Sequence, residues 1–274
     1  MANYTAADIK EIRESTGAGM LDVKKALDEA NGDKAKAVEL IRIKGLKGIA
    51  KREGRTASEG LIAVDIRDSA EGQTGTLVEL NSETDFVAKN DKFVALGDEA
   101  VAAAVESGAS EPEQLAETAF GTALTDAGAT MGEKILVRRI GRVSGEAVSE
   151  YMHRTNKDLP PQVGVLVATD KAGAEVARDV AMHIAAFTPT YLSRDEVPAD
   201  VVENERRIAQ ETAEAEGKPE KAIPKIVEGR LNGFYKENCL LDQAFAKDPK
   251  KSVGAIVEEV GGTVTGFLRF RVGN

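Results

Sequence analysis

The apolar positions of the first 45 residues recur at helical spacing and are interrupted by turn-forming residues. Ile9 and Ile12 follow Thr5 and Asp8, a capping-box-like start, until Gly17-Ala18-Gly19 stops the run. A second run carries Leu21, Ala26, Leu27 and Ala30 and ends at Asn31-Gly32. Asp33 can cap a third, whose apolar face is Ala37, Val38, Leu40 and Ile41, closing at Gly45. Three short helices predict a small bundle with a thin core. Between Lys44 and Arg55 five cations face Glu53 alone and three glycines intervene, a composition that predicts a hinge or linker.

Beyond residue 56 the period shortens to two. Leu61 to Ile66 and Thr76 to Leu80, separated by turn-like Asp68, Ser69 and Gly72, predict a hairpin. A helix follows over Lys92 to Glu106, through Phe93, Leu96, Ala100, Val101 and Val105, and then a strand over Ile135 to Val143. The same order recurs: strands at Ala147 to Met152 and Val163 to Ala168, a helix from Gly173 to Phe187, and a last strand at Thr263 to Val272. This recurrence reads as a diverged duplication, two related α/β subdomains with small antiparallel sheets. The second is interrupted near 196 to 237 by two amphipathic helical runs. Val201, Ile208 and Ala215 lie at seven-residue spacing, a Gly217-Lys218-Pro219-Glu220 turn follows, and Ile223, Val227, Leu231 and Phe234 come after it. Such a helical hairpin either contacts another subunit or partner, including a second copy of this chain, or docks on its own core. The reading is an α+β chain: residues 1–55 a helical bundle with its basic linker, 56–143 one subdomain, 144–195 with 238–274 the other, and 196–237 the inserted hairpin.

Charge separates these modules. The 274 residues carry 36 Lys plus Arg against 46 Asp plus Glu, a net of −10, whereas residues 1–55 alone are net +3. An acidic chain is a poor general polyanion binder, so direct nucleic-acid binding is not expected. No apolar run reaches the ~20 residues that span a bilayer. Met1-Ala2-Asn3-Tyr4-Thr5 leads into polar helical sequence without a secretory pattern, and a cytoplasmic, membrane-free protein is expected.

Little in the chain suggests covalent chemistry. Cys239 is the one cysteine, and with only His153 and His183 a Cys/His zinc cage cannot be built. Cys239 precedes Leu240 and Leu241 and reads as a small buried hydrophobe. Gly128 to Lys134 lacks the spacing and hydroxyl residue of a phosphate-cradling loop. His183, within Ala181-Met182-His183-Ile184-Ala185-Ala186, reads as a packed core or interface residue rather than a general base. His153 reads as a solvated loop residue. Neither a cofactor nor a metal is called for, and no catalytic residues are assigned.

One segment stands out in a chain with eight phenylalanines, four tyrosines and no tryptophan: Asn81-Ser82-Glu83-Thr84-Asp85-Phe86-Val87-Ala88-Lys89-Asn90. It sets a large aromatic beside a carboxylate at a chain reversal after a strand. Either the reversal exposes both, or Thr84 caps a helical turn and Phe86 tucks into the core.

Together with this segment, Arg13-Glu14-Ser15-Thr16-Gly17-Ala18-Gly19-Met20-Leu21-Asp22-Val23-Lys24-Lys25-Ala26-Leu27 and Ala181 to Ala186 resemble the bacterial elongation factor Ts family, over about residues 4 to 272. The head also resembles a ubiquitin-associated (UBA-like) bundle through Ala26-Leu27, Asn31-Gly32-Asp33 and Ala37-Val38-Glu39, which in this family is a docking module with no bearing on ubiquitin. The resemblance implies guanine-nucleotide exchange on elongation factor Tu, bound in its GDP and nucleotide-free forms, with no covalent step. By position it implies that Thr84, Asp85, Phe86 and Val87 form an intruding loop, Phe86 wedging into an apolar pocket and Asp85 disturbing the partner's Mg²⁺ network. It implies further contacts from Arg13, Met20, Leu21 and Lys24 on the head and from Val163 and His183 in the second subdomain. The sequence departs from some relatives in ending at Asn274, without their further helical module, and in having Val23 and Ser82 where those carry cysteine. The competing expectation is a scaffold that binds a helical or ubiquitin-like partner through the head and dimerises through the helical hairpin.

Overall fold

The computed structural model describes residues 3–273; Met1, Ala2 and Asn274 lie outside the described residues. Helix α1 (Ala6–Thr16) starts on a complete capping box, in which the Thr5 hydroxyl accepts from the Asp8 amide and the Asp8 carboxylate accepts from the Thr5 amide at 2.8 Å. Left-handed Gly17 (φ 75°) ends it. Helix α2 (Met20–Glu29) and helix α3 (Lys34–Lys47, capped by Asp33) complete the bundle around Ile12, Val23, Ala26, Leu27, Ala37 and Ile41.

Helix α3 does not close at Gly45. It continues to Lys47 and is followed by a short helix α4 (Ile49–Arg52), so the basic segment is mostly helical and docked rather than a free linker. Its seat is helix α8 (Ala119–Met131), which follows α7 (Pro112–Ala116); neither helix shows a strong apolar period in the sequence. A Cβ on Gly45 would fall 1.8 Å from the Ala129 carbonyl oxygen, so glycine is what lets the two helices meet. Arg42 grips Asp126 with two donors (3.1 and 2.5 Å), and an Arg52 guanidinium nitrogen donates to the Gly128 carbonyl at 3.2 Å.

Strands β1 (Glu59–Ser69) and β2 (Gly72–Ser82) form the expected hairpin, longer at both ends than its apolar pattern, and β3 (Leu136–Gly145) pairs antiparallel with β2. Helix α5 (Asp85–Ala88) and helix α6 (Asp91–Ser107) follow the hairpin. In the second half β4 (Ala147–His153) and β5 (Val163–Thr169) make a hairpin, helix α9 (Ala174–Phe187) follows, and the chain's last strand pairs with β5. The middle strand of each sheet is thus the second strand of its hairpin, and a helix comes next in the chain.

Strand alternation sorts the side chains into layers. Leu61, Ala63, Val78 and Leu80 face Phe93, Leu96 and Ala100 of α6; fully burying a side chain the size of Phe93 contributes about 3 kcal/mol. Val163, Val165 and Val167 face Val180, Ala181 and Ile184 of α9. The opposite faces of the two sheets meet through Ile62, Leu77, Val148, Leu166, Ala168 and Phe270. The order is therefore helix, sheet, sheet, helix, with the head on one flank: an α+β fold.

The interruption is a pair of helices, α10 (Ala199–Ala215) and α11 (Ile223–Asn238). Its buried face is Ala209 and Ala213 against Val227 and Leu231, rather than the Val201, Ile208, Ala215 row, and Ile208 stays exposed. Here the small alanines permit the close approach of the two helices. The base closes on itself. The Thr190 and Tyr191 amides donate to the Asn238 carbonyl at 2.9 and 3.0 Å, and the Leu240 amide donates to the Tyr191 carbonyl at 2.8 Å. Cys239 sits in this closure, fully buried, and burial pushes its thiol up to about 11. Beyond it come β6 (Ala244–Phe245), β7 (Asp248–Ser252), helix α12 (Val253–Glu259) and β8 (Val264–Arg271), of which only the last was expected.

Candidate partner-docking site

Between β2 and α6 the chain makes one helical turn whose two faces have opposite fates. Thr84 is extended and caps α5, its hydroxyl accepting from the Val87 amide at 3.4 Å. Val87 and Ala88 then turn inward to the core beneath α6, and Asn90 caps α6 by accepting from the Lys92 amide. With those two positions buried, Phe86 points outward, 66% exposed. Lys89 stands 4.3 Å over its ring and 3.3 Å from the Asp85 carboxylate, so the aromatic, the cation and the anion form one small surface group.

The turn is held from below by Glu133, a residue the sequence reading did not single out. One carboxylate oxygen accepts from the Thr84 hydroxyl at 2.6 Å, and the other accepts from the amides of Glu83 and Thr84 at 3.0 and 3.1 Å. Burial raises the Glu133 pKa above the usual carboxylate value, and the nearby Glu83 adds to this, while the donors from Thr84 and Glu83 pull the other way.

On the head, Gly19 starts α2 and the inward positions are Val23, Ala26 and Leu27. Met20 and Leu21 are left outside, 58% and 72% exposed, with exposed Lys24 one turn on and exposed Arg13 at the end of α1. Arg13 and Met20 of the head, with Thr84, Phe86 and Val87 of the turn, line a single open cleft of about 1190 Å³. Among the described residues the exposed large apolar side chains are few, and three of them (Met20, Leu21 and Phe86) belong to these two elements.

Val163 and His183 do not line this cleft and are buried in the free chain. Val163 faces the core under α9, and His183 is 1% exposed. The Ala246 amide donates to His183 Nδ1 at 3.2 Å, which leaves Nε2 to donate to the Gln243 side-chain oxygen at 2.8 Å: a neutral ring satisfied at both nitrogens. What reaches solvent beside it is Phe187, stacked on the imidazole at 4.5 Å between centroids. Burial lowers the His183 pKa from 6.5, so on acidification the unfolded chain takes up a proton first. Stability from this group is present above about pH 6.5 and lost as pH falls through the folded-state value, by at most about 1.4 kcal/mol per pH unit. Urea unfolding at pH 7.5 and 5.5 should show that loss, and His183→Gln should flatten it.

Comparison with known proteins places the chain in a family. The family profile described as Elongation factor TS matches residues 83–274, more than half of the chain and beginning at the turn that carries Phe86. Proteins named Elongation factor Ts match over the full length of both chains: 62% identity in Beutenbergia cavernae, 60% in Micrococcus luteus and 55% in Kineococcus radiotolerans. No described helix is long and apolar enough to cross a membrane. On this evidence the chain belongs to the elongation factor Ts family of translation elongation factors.

Proposed function

We propose that this chain binds elongation factor Tu in its GDP form and promotes release of GDP, acting as a guanine-nucleotide exchange factor without covalent chemistry. The observation that carries the reading is Phe86: a large aromatic held outward on a capped, clamped turn, facing the same cleft as Met20 of the head. An apolar side chain so exposed contributes little to the free chain's stability and is expected where a partner pocket receives it.

In this mechanism the head, through Arg13, Met20, Leu21 and Lys24, anchors the GTPase domain, and the turn enters beside the nucleotide. Phe86 fills an apolar pocket and displaces the backbone that organises the phosphate site. Asp85, already part of an ion pair with Lys89, brings negative charge toward the partner's Mg²⁺ ligands and weakens that ion's hold on the β-phosphate. Thr84 and Val87 keep the turn rigid, one by capping and the other by burial. The docked head argues against the scaffold alternative, because α3 is tied to α8, whose last residue, Met131, lines the cleft together with α1 and the start of α2.

The test is release of a fluorescent GDP analogue from elongation factor Tu in excess unlabelled nucleotide, titrated with this chain. Saturable acceleration is expected, and none at any concentration would reject the reading. Coupling is reciprocal: if the chain weakens GDP binding by some factor, GDP with Mg²⁺ must weaken the chain's binding by the same factor. Titrating GDP into the complex should therefore dissociate it.

A further inference from the structure

Antiparallel pairing of Asn81 with Leu136 brings the corner between α8 and β3 alongside the start of the Phe86 turn. Two consecutive residues at that corner reach in different directions. Glu133 takes the three donors of Glu83 and Thr84 described above. Lys134 donates its amide to the Glu83 carboxylate at 2.6 Å, and its ammonium donates to the carbonyls of Glu53 and Arg55 at 2.6 and 3.2 Å, where the chain leaves the head. Arg55 closes the circuit by pairing with Glu83 at 3.2 Å.

We propose that Glu133 and Lys134 are positioning residues for exchange: Glu133 sets where the Phe86 turn stands, Lys134 sets where the head stands, and their adjacency in the chain fixes the spacing of Phe86 and Met20. This rests on the reading that the cleft docks a GTPase. The physical basis is that both ties are charge-assisted and converge on one short rigid corner. A carboxylate that accepts three donors from two successive residues defines position and orientation together. A wedge misplaced by about 1 Å can cost roughly 100-fold in the step it serves.

The test uses the full chain with Glu133→Ala, Glu133→Gln, Lys134→Met and Lys134→Arg, reading both the maximal rate of labelled-GDP release and the chain concentration giving half of it. Glu133→Ala is expected to lower the maximal rate roughly 10- to 100-fold with little change in half-saturation. Glu133→Gln, whose carbonyl still accepts from the backbone amides, should recover part of that loss. Lys134→Met should raise half-saturation about tenfold at an unchanged maximal rate, and Lys134→Arg should restore it. Wild-type behaviour in all four variants overturns the proposal, as do losses in both parameters that simply track melting temperature. If the unaltered chain itself fails to release GDP, the docking reading fails, and amide hydrogen exchange in the free chain decides the clamp separately. Protection of the Glu83 and Thr84 amides lost in Glu133→Ala supports it, and protection retained overturns it.

Discussion

Replacing Phe86 with alanine should slow the chain's stimulation of GDP release at least about 30-fold while leaving its own fold intact. Truncating an aromatic anchor that fills a partner pocket costs about 2 kcal/mol or more, and 1.4 kcal/mol is a factor of ten. In the free chain the same side chain is two-thirds exposed and lies with its ring face under Lys89, a contact worth about 0.5 to 1 kcal/mol. The cap from Thr84 and the burial of Val87 and Ala88 do not depend on it. Melting of the free variant should therefore stay within a few degrees of the unaltered chain. Equal acceleration by both proteins would leave exchange in place and remove the wedge from its mechanism.

The second large effect is expected far from the turn. Gly45→Val puts a branched carbon where the Ala129 carbonyl oxygen already sits, and because the obstacle is backbone on both sides no side-chain rotation relieves it. Overpacking a well-packed core, where side chains can still shift, costs about 1 to 3 kcal/mol, and this backbone clash should exceed that. Valine is no worse than glycine as a helix former, so α3 itself persists and the strain falls on its contact with α8. The head should come away from its seat, Arg42 losing Asp126 and Arg52 losing the Gly128 carbonyl. Limited proteolysis should then cut near residues 44 to 58 much faster than in the unaltered chain, and half-saturation for exchange should rise about tenfold or more as Met20 and Phe86 lose their fixed spacing. Wild-type resistance to cleavage would show that the glycine contact is not what seats the head.

The parts of this fold that could be read from the sequence were those where a period is strong. The two hairpins followed from alternation, and the capping of α1 followed from Thr5 and Asp8. Helix α8 did not, because its residues are mainly alanine, glycine and threonine. Gly121 and Gly128 resemble turn signals, yet both are buried close to neighbouring backbone. The exposure of Phe86 could not be decided from the residues alone, since the burial of Val87 and Ala88 that turns it outward depends on α6 packing over β1 and β2. Glu133 was illegible for a different reason: it lies 49 residues from Thr84, and only the pairing of β2 with β3 brings them together. At His183 the lone histidine on an apolar helix argues for a packed core or interface site, and in the free chain the side chain is buried.

The closure at Tyr191, Asn238 and Leu240 has a consequence for how this chain can change. Because both strands of chain entering the helical pair are pinned side by side at its base, whatever lies beyond that neck does not alter the separation of the two ends. Lengthening the pair by whole turns, shortening it, or replacing its tip with a foreign segment adds almost no loop-closure cost to the sheet beneath it. The pair is thus a graft point, a stalk on which a tag or a new recognition element could be carried without contact with the residues that line the cleft.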